Sequence, residues 1–173
     1  MRVGWPRVWH LPRMPNQTET KDGAAVRFPP PFVPLIALVL GALLQRLVWP
    51  IPVPVGGAVG MAVGGLLCVA GLAMMATAIG LFRGTGQDPK PWESTPEILS
   101  TGIYRFSRNP MYVAMGLLLA GIGFALGNGW MLLFVPAVWG VIYGIAIRHE
   151  EAYLEQKFGG VYLDYKSSVR RWL

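Results

Sequence analysis

Two short polar stretches of the chain combine residue types that can bind a charged ligand. The first, YRFSRNPMY at residues 104–112, has two arginines, two tyrosines and an asparagine directly before an apolar run. The second, RHEEAYLEQ at 148–156, has paired carboxylates directly after another apolar run. Polar groups next to lipid are costly. The two stretches therefore predict either contacts with lipid headgroups or a site for a polar ligand.

Glu150 and Glu151 stand at the end of an apolar run, where lysine or arginine is the usual residue. Adjacent residues of a helix point about 100° apart, so the two carboxylates do not share a partner on their own helix. Two interpretations stay open from these residues. Arg148, Lys157 and water solvate the pair, or the pair binds a cationic ligand.

The composition indicates an integral membrane protein. The 173 residues are 53% hydrophobic and 14% charged, with a mean hydropathy of +0.43, whereas soluble domains carry about 25% charged residues. The length fits one domain, which we place at 29–173 after a flexible tail at 1–28. The single cysteine, Cys68, excludes an internal disulfide and lies in an apolar run, where it is expected to fill space.

Four apolar segments predict an all-α fold with about four transmembrane helices. Three of them are short for a span of about 20 residues. Asn128-Gly129 predicts a tight helical hairpin, and the spacing of Gly60 and Gly64 predicts close helix packing inside the protein. The segments are 32–49, 55–82, 111–126 and 130–147.

The distribution of basic residues predicts the orientation. Lysines and arginines lie before the first segment, between the second and third, and after the fourth, whereas the connections 50–54 and 127–129 have none. The positive-inside rule places both termini and the 83–110 loop in the cytoplasm, where the loop and the tail form a helical cap. One apolar stripe in the tail predicts an interfacial helix, which Gly159-Gly160 is expected to interrupt near its start. The stripe runs through Phe158, Tyr162, Tyr165, Val169 and Trp172.

The combination of these motifs resembles the integral-membrane methyltransferases, which include isoprenylcysteine carboxyl methyltransferase and the phospholipid N-methyltransferases. GIYRFSRNPMY is followed about forty positions later by RHEEAYLEQKFGGVYLDYKSSVRRW. The family pattern has Arg-His-Pro-x-Tyr, then Glu-Glu, then a closing Val-x-Arg-Trp. The resemblance covers about residues 81–173. Asn109 stands where the family usually has histidine, and Leu173 where it usually has proline.

The resemblance implies S-adenosylmethionine as the cofactor, bound on the cytoplasmic side, and an apolar or amphipathic acceptor that enters from the bilayer. It implies no metal and no nucleic-acid partner. Methyl transfer from a sulfonium releases a neutral leaving group, so the protein's main task is orientation and exclusion of water. Arg108 and Asn109 are the candidates for a catalytic role. The cofactor-binding candidates are Tyr104, Arg108, Asn109, Pro110, Tyr112, His149, Glu150 and Glu151.

Two other functions stay open at this point: an NADPH-dependent membrane reductase of sterol-like lipids, and a non-catalytic membrane protein. Arg105 and Arg108 could bind the extra phosphate of NADPH, although the glutamate pair would repel it. The role of Asn109 is also open. Pro110 is expected in the first turn of a helix, so Asn109 either caps that helix with its side chain or contacts the ligand.

Overall fold

A computed structural model of the chain describes residues 23–26, 28–86, 90, 95 and 97–173. Within these ranges all regular structure is helical, which agrees with the predicted all-α class. A short 3-10 turn precedes α3, and a π-helical turn joins α4 to α5 without a break. The elements are α1 (Phe32–Leu47), α2 (Gly57–Gly84), the 3-10 turn (Gly102–Arg105), α3 (Pro110–Ala125), α4 (Gly129–Ile142), the π turn (Tyr143–Ile147), α5 (Arg148–Phe158) and α6 (Gly160–Ser168).

Two helical stretches of the described chain are long and apolar enough to cross a membrane: Gly57–Gly84, and Gly129–Phe158 through the π turn. Only 11% of the most apolar window of α2 is buried, so α2 does not resemble the core helix of a soluble protein. The apolar helices α1 and α3 have 16 residues each. At 1.5 Å per residue they are shorter than the hydrocarbon core of about 30 Å, and four crossings stay a prediction.

Glycines bring α2 and α3 into close contact. A Cβ placed on Gly64 would lie 2.5 Å from the Gly121 carbonyl oxygen and 2.6 Å from the Ala125 backbone nitrogen. A Cβ on Gly121 would lie 2.6 Å from the Cys68 sulfur. Only glycine permits this approach of two helix backbones. Gly60 likewise faces the Phe124 carbonyl, so the predicted internal packing of the second segment is confirmed and Cys68 is a packing residue.

The turn at Asn128-Gly129 connects α3 to α4 as predicted. The Asn128 side chain accepts a hydrogen bond from the Met131 amide, which caps α4, and donates one to the Gly41 carbonyl of α1. The Gly129 amide donates to the Ile51 carbonyl. One asparagine therefore fixes the hairpin and also ties α1 to α4, the helix against which α1 packs.

The predicted stripe in the tail is only partly correct. Gly159 has φ +53° and ψ −125°, a conformation that residues with a Cβ avoid, and it separates α5 from α6. Helix α6 ends at Ser168, and Val169 is extended. Tyr162 and Tyr165 thus belong to a helix but Trp172 does not, because the chain turns back towards the start of α3 instead of continuing along a membrane surface.

Most of the predicted N-terminal tail, residues 1–28, falls on residues 1–22 and 27, which lie outside the described residues. Of the rest, Ala24 and Val26 are buried and belong to the hydrophobic core. Pro30 is fully buried as well. The segment that leads into α1 is therefore packed against the body of the protein and lines the site described next.

Candidate functional site

A cavity of about 370 Å³ lies where α2 ends, α3 begins and α5 and α6 cover both. Such a volume is typical of sites for small molecules. Most of its wall is apolar, and charged and phenolic groups gather in one part. The apolar wall includes Met75, Ile79, Phe82, Ile98, Leu99, Met111 and Met115, and the polar part includes Tyr104, Arg108, Tyr112, Glu150 and Glu151.

Arg108 is the cation of the polar part. Its side chain is 9% exposed, and its Nη1 lies 3.3 Å from the Oε1 of Glu151. Its Nε and Nη1 are buried and have no hydrogen-bond partner among the residues that the structure describes. Buried donors of this kind are nearly always paired in folded proteins, since leaving them unpaired is costly. The guanidinium therefore has hydrogen-bonding capacity to spare for an anionic ligand in the cavity.

Tyr104 supplies a second unpaired donor. The 3-10 turn buries its ring, which packs edge-on against Phe82 with centroids 5.7 Å apart. Its backbone oxygen accepts from the Tyr165 hydroxyl at 2.8 Å, but its own hydroxyl is buried without a partner in the described part of the chain. Burial raises the pKa of the Tyr104 phenol, so this hydroxyl stays protonated at neutral pH and can donate.

Glu150 and Tyr112 form a buried polar pair across two helices. The Tyr112 hydroxyl, in the first turn of α3, donates to Glu150 Oε1 at 2.5 Å. Pro110 at the first position of α3 sets this start, as predicted from its missing N–H. A carboxylate accepts several hydrogen bonds. Glu150 therefore keeps acceptor capacity for a cation or hydroxyl in the cavity while Tyr112 fixes its orientation.

Glu151 has different partners, as the angular separation of adjacent helix residues predicts. It is buried, and its two oxygens accept from Arg171 Nε at 2.8 Å and Nη2 at 3.0 Å. Its contact with Arg108 is the longer one at 3.3 Å. The interpretation of the glutamate pair as a solvated helix end is therefore wrong, because both carboxylates have side-chain partners that lie far away in the sequence.

Asn109 occupies the N-cap position of α3 with φ −130° and ψ 52°, outside the α region as expected before proline. The predicted side-chain cap is wrong, because no cap hydrogen bond forms. Its side-chain Nδ2 instead donates to the Arg171 backbone oxygen at 3.0 Å, and its backbone N–H donates to Ser107 Oγ. The side chain therefore holds the chain's return towards α3, although Asn109 also borders the cavity.

His149 is the one predicted site residue that the structure does not place in the cavity wall. Its Nε2 accepts a hydrogen bond from Arg148 Nε on the exposed side of α5. Three residues that were not predicted do belong to the site or support it: Tyr162 and Tyr165 line the cavity, and Arg171 binds Glu151. The closing Val-x-Arg-Trp motif contains Arg171, so this motif was the sequence signal that could have identified Arg171 as a site residue.

Within the described ranges, no cluster of three or more histidine, cysteine, aspartate and glutamate side chains could hold a metal ion. The phenols add no base either. Burial raises the pKa of Tyr162 to about 12 and that of Tyr165 further still. The phenols of the site are thus suited to binding and orienting a ligand rather than to proton transfer.

Comparison with known proteins shows to which family the sequence is similar. A family model described as phospholipid methyltransferase matches residues 59–160, more than half of the chain. A Haemophilus influenzae protein, described as uncharacterized, is 44% identical over 63 residues, which are 36% of this chain and all of that relative. No solved structure matches the chain significantly. The family match includes α2 and α3 and ends at the start of α6, before the closing Val-x-Arg-Trp motif.

Proposed function

The chain belongs to the phospholipid methyltransferase family, and on that premise we propose that it transfers a methyl group from S-adenosylmethionine to an apolar or amphipathic acceptor reached from the membrane. One observation carries the choice of cofactor. The unpaired N–H groups of Arg108 and the unpaired hydroxyl of Tyr104 line a mostly apolar cavity that also contains the Glu150 carboxylate.

The cofactor's polar groups correspond to this set of donors and acceptors. Its carboxylate suits Arg108 and Tyr104, because a guanidinium and a neutral phenol both donate to carboxylate oxygens. Its ammonium and ribose hydroxyls suit Glu150, which is held by Tyr112. Glu151 is engaged by Arg171 and Arg108, so we assign it a supporting role. The remaining wall is apolar and matches the less polar parts of the cofactor.

When bound, S-adenosylmethionine supplies a methyl group on a positively charged sulfur, which leaves as a neutral thioether. The residues of this chain then have to bind, orient and exclude water. Arg108 contributes as a binding group. Asn109 does not move a proton, because a side-chain amide does not titrate at neutral pH. Its Nδ2 already donates a hydrogen bond to the Arg171 carbonyl. The neutral phenols of Tyr104 and Tyr162 orient the ligand without acting as bases.

The apolar wall favours an acceptor with a lipid-like part. Met75 and Ile79 on α2 and Met111 and Met115 on α3 line it, and methionine adapts to irregular apolar groups. The same α2 exposes most of its apolar surface. We therefore propose a bilayer-embedded protein whose acceptor, lipophilic or amphipathic, reaches the cavity from the lipid side.

Titration of the purified protein with S-adenosylhomocysteine tests the function. We expect binding by the parent and binding about ten- to hundredfold weaker for Glu150→Gln, since a lost hydrogen bond to a charged group costs about 1.5–3 kcal/mol. Isothermal titration calorimetry gives both constants. NADPH is titrated in parallel, because a reductase of sterol-like lipids would bind it instead.

The matched control is Glu155→Gln on the same helix. Glu155 pairs with Lys166 at 2.7 Å, is partly exposed and does not line the cavity, so its replacement should leave the affinity unchanged. Binding of NADPH alone would favour the reductase, and binding of neither compound would favour a non-catalytic membrane protein. Equal affinities of Glu150→Gln and the parent would contradict the assignment of Glu150.

We also propose four membrane crossings with both termini and the 83–110 loop in the cytoplasm, supported by the distribution of basic residues. A reporter that fluoresces only in the cytoplasm should be bright when fused after Leu173. The same reporter inserted after Gly127, in the connection between α3 and α4, should be dark. A dark fusion after Leu173 at normal expression would overturn this orientation.

A further inference from the structure

The segment formed by residues 169–173 lies against the residues that carry Arg108. After α6 the chain is extended at Val169. The Arg108 amide donates to the Arg170 carbonyl at 2.9 Å, and Ser107 Oγ and Asn109 Nδ2 both donate to the Arg171 carbonyl. This segment therefore fixes the backbone of residues 107–109 from one side.

The side chain of Arg171 reaches further, to the carboxylate that Arg108 also contacts. Its Nε and Nη2 donate to the two oxygens of Glu151 at 2.8 and 3.0 Å, and its guanidinium lies 4.9 Å from the Tyr143 ring centroid. Such a bidentate pair is the strongest geometry available to a carboxylate. Arg108 contacts Glu151 through Nη1 at 3.3 Å and hydrogen-bonds with the Tyr162 side chain, but its Nε and Nη1 have no partner with hydrogen-bond geometry in the described part of the chain.

We propose that Arg171 and Glu151 are positioning residues that keep N–H groups of Arg108 available for an anionic ligand group in the cavity. Arg171 takes the bidentate side of the Glu151 carboxylate, which leaves Arg108 a contact with a remaining lone pair of one oxygen at 3.3 Å. The identity of the anion as the carboxylate of the cofactor rests on the proposed function. The residues concerned belong partly to a segment beyond the family match.

Removing Arg171 alone should close the anion site. Glu151 would then be buried with Arg108 as the cation in direct contact and Lys166 acting at longer range, and unpaired carboxylate oxygens are costly. Arg108 would shift into the bidentate position and withdraw its N–H groups from the cavity. Removing the Glu151 carboxylate in the same variant abolishes that attraction, so Arg108 should become free again.

The test is a double-mutant cycle on S-adenosylhomocysteine affinity. We expect Arg171→Gln to weaken binding about tenfold, Glu151→Gln to weaken it less, and the double variant to bind more tightly than Arg171→Gln. A purely structural role of Arg171 gives no such rescue, because the second substitution would add further damage. Parent-like affinity of Arg171→Gln, or a double variant no better than Arg171→Gln, would overturn the proposal.

A second measurement needs no cofactor. Phenylglyoxal modifies accessible guanidinium groups, and mass spectrometry reports each arginine separately. Arg108 is only 9% exposed and should react slowly in the parent, through the cavity that it borders, more slowly in Arg171→Gln and again at the parent's rate in the double variant. Unchanged reactivity across the series would contradict the proposal. If the parent does not bind S-adenosylhomocysteine, the proposed function fails while this pattern still decides the positioning role.

Arg170→Gln is the matched control for both measurements. It removes the same charge one residue earlier, but the Arg170 side chain is exposed and only its backbone carbonyl contacts Arg108. Its affinity and its modification pattern at Arg108 should equal those of the parent. A loss equal to that of Arg171→Gln would show that net charge, rather than the pairing of Arg171 with Glu151, sets the affinity, and would overturn the proposal.

Discussion

Arg108→Gln should weaken S-adenosylhomocysteine binding by about a hundredfold or more, the largest loss expected for one substitution in the site. Arg108 borders the cavity, and its buried Nε and Nη1, which have no hydrogen-bond partner in the described part of the chain, disappear as charged donors. Each hydrogen bond to a charged group contributes about 1.5–3 kcal/mol. The fold should tolerate the change, because Glu151 keeps both hydrogen bonds from Arg171. Calorimetric titration measures the affinity, and a thermal unfolding curve without ligand reports stability.

Arg105→Gln serves as the control for this variant. Arg105 lies three residues away in the same segment, has the same charge and is exposed outside the cavity wall. We expect Arg105→Gln to bind S-adenosylhomocysteine with the same affinity as the parent. If both variants lost affinity equally, the basic segment would act through its overall charge and the site assignment of Arg108 would be wrong.

Gly64→Val should destabilise the protein by about 3 kcal/mol, at the upper end of the usual range for overpacking. A Cβ at this position meets the Gly121 carbonyl oxygen at 2.5 Å and the Ala125 nitrogen at 2.6 Å. Both are helix backbone atoms, which cannot move aside as a flexible side chain does. For a chain of this size the midpoint of thermal unfolding should fall by about 6–12 °C.

Gly65→Val controls for the loss of glycine itself. Gly65 is the next residue of α2, is exposed, and has no atom within 4 Å of an added Cβ. Both substitutions exchange glycine for a β-branched residue in one helix, so only the contact with α3 differs. Equal unfolding midpoints for the two variants would refute the close packing of α2 on α3 that shapes one wall of the cavity.

Several parts of the fold were predictable because local chemistry determines them. Pro110 sets the start of α3 since its missing N–H fits a first helical turn. Asn128-Gly129 forms the hairpin turn, and the glycines of the second segment mark the face that packs on α3. The apolar runs predicted α1 to α4 to within a few residues. Helices that expose apolar surface consist of continuous apolar sequence, so a hydropathy pattern locates them directly.

Other parts depended on how the helices rotate and where the chain returns. Gly159 interrupts the stripe of the tail as predicted, but spacing alone did not reveal that the chain becomes extended at Val169, so that Trp172 lies outside the helix. Asn109 occupies the N-cap yet bonds to the Arg171 carbonyl, because a segment far away in the sequence competes with the helix start for its side chain. His149 faces away from the cavity although it adjoins both glutamates.

The sequence alone determined an all-helical protein of strongly apolar composition, two polar motifs with the residue types of a ligand site, and the methyltransferase family to which they point. Only the tertiary structure decided that Tyr112 holds Glu150, that Arg171 holds Glu151, and that Arg108 keeps unpaired N–H groups beside the cavity. The physical reason is the distance along the sequence over which each interaction acts. Periodicity and turn chemistry act over a few residues, whereas a hydrogen bond forms within a few tenths of an ångström between groups that only the packed helices bring together.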